Sequence, residues 1–187
     1  MGTEQNNVIT IDGPIASGRT TLANGLVNTY GLKHLNLETV LRRLADKARR
    51  NTIKLDDEPG IVKLAATLTD AELLNAQRNA ELRKPEVERA AMQFMLSTDL
   101  ATVLNAKFNA LAASEPGLVA VGNSMARNVF PAAPVQLFLD AKSVERGARL
   151  ARMRKLKGHD PATQPIRNLR CCRCVILSLA VCSNRCL

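Results

Sequence analysis

Three short apolar runs, each bounded by turn-forming residues, punctuate a chain otherwise dominated by helical spacing. Val8-Ile-Thr-Ile-Asp12 is rich in β-branched residues and stops at Gly13-Pro14, as a strand entering a loop does. Leu118-Val-Ala-Val-Gly122 follows the turn Glu115-Pro116-Gly117, and Val135-Gln-Leu-Phe-Leu-Asp140 is the third run. Both read as fully buried strands. Elsewhere apolar positions recur every three or four residues. Leu22, Leu26 and Val27 predict a helix from Thr20 to about Tyr30, stopped by Gly31. A second helix is predicted from Leu35 to about Arg49. Asp56-Asp57-Glu58-Pro59-Gly60 breaks the pattern, and residues 61–114 are again helical, with a fresh start at Pro85 and Glu86 in its first turn. Another helix opens at Ser143 and ends near Gly158, carrying Arg146, Arg149 and Arg152 at i, i+3 and i+6. Buried strands alternating with helices predict an α/β fold, a parallel sheet covered on both faces.

Composition narrows the class. At 187 residues, 46% apolar and 23% charged, the chain has the size and content of one globular domain. Those values exclude a wholly disordered chain, a collagen and a disulfide miniprotein. No apolar run approaches the roughly 20 residues that cross a bilayer. The polar start Met-Gly-Thr-Glu-Gln-Asn-Asn lacks the pattern of a secretory signal, so a cytoplasmic location is expected.

Charge is unevenly placed. Residues 141–187 hold eleven of the 26 Lys and Arg but only two of the 17 acids, Glu145 and Asp160, so the preceding body is neutral. All five cysteines lie there too, as C-C-x-C-x₇-C-x₃-C from Cys171 to Cys186. That spacing fits paired zinc ligands poorly, and free thiols are the better reading. His34 and His159 have no Cys, Ser or Asp at a triad-like spacing.

The chemistry lies in Gly13-Pro14-Ile15-Ala16-Ser17-Gly18-Arg19-Thr20. It has the form G-x-x-x-x-G-[basic]-[ST], directly after a strand and opening a helix, the context a phosphate-binding loop requires. Glycines let successive N–H groups turn inward, and the helix N-terminus adds positive partial charge. Gly13 to Thr21 are therefore the candidate ATP-binding residues, with Thr20 placed to help hold Mg²⁺. The motif's usual Lys is Arg19, a planar fork rather than a point charge. A glycine-rich strand–helix turn with no ligand is the plain alternative.

With this loop in place, Val8 to about Gly158 resembles the bacterial cytidylate kinases, a nucleoside monophosphate kinase family. The opening through Ala23, Leu55-Asp-Asp-Glu58, Leu82-Arg-Lys-Pro-Glu-Val87, Glu115-Pro-Gly-Leu-Val-Ala120 and Val129-Phe-Pro-Ala-Ala-Pro-Val-Gln-Leu-Phe-Leu-Asp-Ala141 carry the likeness, and Glu145 to Gly158 follows without a gap. The resemblance implies a phosphate-loop core (residues 1–49 and 106–187), a helical monophosphate-binding insertion (50–105) and an Arg-rich lid (142–170). It implies transfer of the ATP γ-phosphoryl group to CMP or dCMP, with Mg²⁺ as cofactor. Small nucleotides are then the partners of a monomeric enzyme, without membrane association. By resemblance, Arg19 and Arg42 are catalytic, and Arg42 and Arg83 hold the monophosphate. Asn123 and Ser124 line its site, and Arg149, Arg170 and Arg173 are lid candidates.

Departures from the family pattern are specific. Its Asp-Ser-Gly reads Asn36-Leu37-Glu38 here, and its Gly-Arg-Asp-Met-Gly reads Gly122-Asn123-Ser124-Met125-Ala126. Glu38 adds negative charge where the resemblance expects an anionic substrate, which is unfavourable by direct repulsion. The stretch from Leu68 to Leu82 is too short for the family's small sheet. Beyond Gly158 the match stops; residues 159–187 form an atypical tail, in which Val175–Val181 could supply a final strand. These losses leave two alternatives to an active kinase: an impaired nucleotide-binding protein, or a basic nucleic-acid-binding module on the same core. Scarce aromatics, 3% of residues, argue against nucleic acid.

Overall fold

The computed structural model describes residues 7–74 and 81–154. Its centre is a four-stranded, wholly parallel sheet in the order β2-β3-β1-β4. The strands are β1 (Val8–Asp12), β2 (Lys33–Asn36), β3 (Leu118–Val121) and β4 (Val135–Phe138). The helices are α1 (Arg19–Tyr30), α2 (Leu37–Arg50), α3 (Glu58–Ala66), α4 (Asp70–Leu74), α5 (Pro85–Phe94), α6 (Thr98–Ser114) and α7 (Ser143–Arg154). A 3₁₀ turn spans Glu81–Arg83 and a π-helical turn Met125–Val129. The chain is thus α/β, as its alternation of buried runs and helices predicts.

Strand alternation divides the core. Ile11, Val119 and Val121 point to one face, where Ala23, Leu22 and Leu26 of α1 cover them. Val8, Leu118 and Ala120 point to the other, in one continuous core with Leu41 and Leu44 of α2, Phe94 of α5 and Phe108 of α6. Side chains of successive strand residues take opposite faces, so each strand feeds both cores. Ile61 and Leu64 of α3 and Val87 of α5 belong to the same continuous core, joined to it through α2 and α6, so part of residues 50–105 shares one core with the helices that cover the sheet.

Several expectations are corrected. The helix expected from Leu35 begins at Leu37, because Lys33–Asn36 is a strand against β3. The strand is four residues long and runs into α2 without a loop. Asn36 ends the strand and caps the helix, its Oδ1 accepting from Thr39 N at 3.1 Å. Glu58, Pro59 and Gly60 belong to the first turn of α3 rather than a loop, with Asp57 as the cap. The third apolar run is shorter than expected and half exposed, with Val135 at 39% and Phe138 at 37%. It pairs with β1 on one side and is the edge of the described sheet. Pro85 does open α5, with Glu86 and Glu88 in its first turn. Among the described residues no helix is long and apolar enough to cross a membrane. The cysteines, His159, Val175–Val181, Arg170 and Arg173 lie outside the described residues.

Register decides where the loops emerge. Ile11, Val121 and Asn36 stand side by side across β1, β3 and β2. The segments starting at Gly13, Gly122 and Leu37 therefore leave the sheet together at the carboxyl ends of its strands. In an open parallel sheet that edge is where ligands bind.

Candidate functional site

Gly13, with φ +143°, turns the chain away from β1. A Cβ there would lie 2.0 Å from the carbonyl oxygen of Leu139, so the close pass of the two backbones requires glycine. Ala16 (φ 61°) and Gly18 (φ 111°) curl the loop further, and Ser17 N donates to Pro14 O at 3.2 Å. The loop ends on the first turn of α1, whose N–H groups have no partners within the helix. Ser17 Oγ is buried, lies beside Gly13 and has no hydrogen-bond partner. A buried hydroxyl without a partner at a helix N-terminus leaves room for an acceptor such as an anion. Thr20 is half-buried in that first turn and Thr21 is exposed. An open cleft of 680 Å³ adjoins the loop, running along α1 past Ser17, Gly18, Thr21, Leu22 and Tyr30, with Arg149 on its rim.

Arg19 does not stand free in the loop. Its side chain is buried, with Nη1 donating to Gly122 O and to Asn123 Oδ1 at 3.0 Å. Its Nη2 meets Glu38 Oε1 at 2.8 Å. One guanidinium thus ties together the segments after β1, β2 and β3. Glu38, which the sequence presents as an uncompensated charge, is neutralised by this pair.

Asp12, the last residue of β1, lies below the same cluster. Its carboxylate accepts from Met125 N at 2.7 Å and Ala126 N at 2.9 Å, fixing the turn after β3. Burial raises its pKa, opposed by those two amides and by the charge of Arg19. Ser124, with φ 61°, is exposed at the start of that turn.

The other expected cations are spread around the edge. Arg42 lies one helical turn beyond Glu38 on α2, its Nη2 3.5 Å from Glu88 Oε1 of α5. Arg83 is exposed on the 3₁₀ turn before α5. Arg149 reaches back from α7, with Nη1 donating to Ala16 O at 3.3 Å and Ser17 O at 3.0 Å. Arg19, Asn123 and Arg149 thus meet the loop or its partners directly, while Arg42 and Arg83 occupy the helical side. No group of three or more His, Cys, Asp or Glu poised for a metal occurs among the described residues.

The cytidylate kinase family profile matches residues 9–169. Cytidylate kinase of Aeromonas hydrophila is 35% identical over 163 residues, 82% of this chain and 70% of that protein. The Pasteurella multocida enzyme of the same name is 34% identical over 161 residues, 81% of this chain and 70% of its own. That of Colwellia psychrerythraea is 33% identical over 168 residues, 84% and 74% respectively. The chain belongs to the cytidylate kinase family.

Within the cytidylate kinase frame, three features escape a reading of sequence. Asp12 as an organiser of the β3 turn is hidden because its partners are backbone amides 113 and 114 residues away. Its one signal is an acid closing an apolar strand. Glu38 as the partner of Arg19, and Glu88 as that of Arg42, arise only when α1, α2 and α5 are brought together.

Proposed function

We propose that this chain transfers the γ-phosphoryl group of ATP to CMP or dCMP, giving CDP or dCDP. The observation that carries the reading is the orphaned Ser17 hydroxyl inside a positive-φ loop at the N-terminus of α1. Residues Gly13 to Thr21, through their free backbone N–H groups, that hydroxyl and the helix end, hold the triphosphate, and the adjoining cleft gives the rest of the donor room. Arg42 and Arg83 hold the acceptor phosphate, with Asn123 and Ser124 beside it and residues 50–105 as the acceptor lobe. A phosphate oxygen of CMP forms the new bond to the γ-phosphorus. The bond from that phosphorus to the β–γ bridging oxygen breaks, and ADP leaves with the electron pair. Such a transfer needs aligned oxygens and charge stabilisation rather than covalent help.

The donor set fits Mg²⁺ in its usual kinase form, with few protein ligands and the remainder from phosphates and water. Thr20 offers a hard hydroxyl oxygen in the first turn of α1, whereas both oxygens of Asp12 are taken by backbone amides. The ion would supply charge neutralisation between the outer phosphates. Arg149 serves as the lid cation, and residues 142–170, with Arg170 and Arg173, make up the lid. The enzyme acts as a cytoplasmic monomer on small nucleotides rather than on nucleic acid.

One observation favours a second reading, a nucleotide binder with impaired turnover: the loop's basic residue is already engaged by Glu38. ADP release with ATP–Mg²⁺ and CMP, dCMP or UMP, in wild type and Arg19→Lys, separates the two. CMP-dependent turnover by wild type supports the kinase. ATP binding without turnover supports the second reading. Activity only in Arg19→Lys assigns the defect to the loop.

A further inference from the structure

The Arg19 guanidinium has three acceptors, and their charges differ. Gly122 O and Asn123 Oδ1 are neutral, and Glu38 Oε1 carries the only formal charge among these contacts. The Arg19 side chain is 8% exposed and that of Glu38 28%, so the pair is shielded on the arginine side and open to solvent on the glutamate side. Buried ion pairs are held tightly when hydrogen-bonded, and the arginine stays charged at every working pH. The outer phosphates of a nucleotide are themselves anions seeking a planar cationic donor.

We infer that Glu38 is a positioning residue that competes with the nucleotide's outer phosphates for Arg19 and thereby sets the affinity for ATP. The inference rests on the ATP-binding reading of the loop. In the free protein Arg19 is a strut joining α1, the first turn of α2 and the turn after β3. On nucleotide binding the strut is exchanged for a phosphate contact, and Glu38 is released toward solvent at the end from which Arg42 projects one turn later. Part of the binding energy is spent on that exchange. Backbone amides of the loop do not require it, so weak binding persists while Arg19 remains paired.

The test uses the full chain and direct binding of ATP–Mg²⁺ by calorimetry, with KM and kcat where turnover is present. Glu38→Gln keeps an oxygen acceptor for Arg19 but removes the charge. It is expected to tighten ATP by on the order of tenfold, reflecting loss of a charged competitor. It should lower KM for ATP more than it changes kcat. Glu38→Asp retains the charge and should stay closer to wild type. Melting without nucleotide shows whether each variant is folded. An unchanged ATP affinity in a folded Glu38→Gln, with wild type binding ATP, overturns the inference and leaves the loop reading intact. ATP binding by neither protein overturns both, because removing the charge has then opened nothing.

Discussion

The guanidinium of Arg149 on α7 stands over the Gly13–Gly18 loop, donating at 3.0 Å to the carbonyl oxygen of Ser17. Its side chain is 45% exposed, and its ion pair with Glu145 is stretched to 3.9 Å. Neither tie costs much to break at a wet surface. On the proposed function, a cation resting on the carbonyls of this loop is free to turn to phosphates held there. Arg149→Ala should lower kcat for CMP about 10²-fold, the usual cost of removing one donor aimed at developing charge. The melting temperature should shift little, and Arg149→Lys should recover part of the rate. Steady-state kinetics alongside thermal melting checks the split.

Two glycines near the loop should respond in opposite directions. At Gly13 an added Cβ meets the backbone carbonyl of Leu139 at 2.0 Å, and φ +143° is strained for any L side chain. Gly13→Ala should cost about 2–4 kcal/mol and abolish nucleotide binding, since neither backbone can retreat without disturbing the β1–β4 edge. Gly25 lies within α1 with nothing within 4 Å of an added Cβ. Gly25→Ala should stabilise by about 0.5–1 kcal/mol through lost chain entropy in the unfolded state. Chemical denaturation of both variants reads the difference.

What the sequence shows of this fold is what lies close together along it. The loop from Gly13 to Thr20 is legible because strand, glycines and helix are consecutive. β3 is legible because four buried residues follow a Glu-Pro-Gly turn. β2 is not, since a four-residue strand running directly into a capped helix lends its Leu35 to the helical pattern. The exposure of β4 is hidden for a different reason: apolar content fixes propensity, but position at the sheet edge depends on strand order. Arg19 shows the limit most clearly. Its charge suggests a phosphate ligand, whereas its partners are 19, 103 and 104 residues away, and only strand register brings them together.

Asp12 gives the site a pH signature. Burial raises its pKa above the ordinary value of about 4, so between the two values the folded state binds more protons than the unfolded one. Its contribution to stability is therefore greatest below the unfolded pKa and is lost as pH rises through the folded one. Asp12→Asn removes that titration, and it turns an amide group toward one of the N–H donors of Met125 and Ala126. The variant should be less stable than wild type throughout, with the gap widening as pH falls toward 4. Urea unfolding of both proteins across pH 4–8 measures the gap; one that is flat or narrows toward acid would contradict the raised pKa.

Arg42 should separate acceptor from donor. It projects from α2 one turn past Glu38 and is held at 3.5 Å by Glu88 of α5, a pair with 22% and 39% side-chain exposure. A contact that long and wet contributes at most about 1 kcal/mol, so it orients Arg42 without locking it. Charge-assisted contacts to a phosphate are worth about 1.5–3 kcal/mol. Arg42→Ala should therefore raise KM for CMP roughly 10- to 150-fold while ATP affinity stays within about twofold. Glu88→Gln removes the competing carboxylate and should lower KM for CMP with little change in melting temperature. Were Arg42→Ala to weaken ATP and CMP equally, Arg42 would belong to the shared transition-state cluster rather than to the acceptor alone.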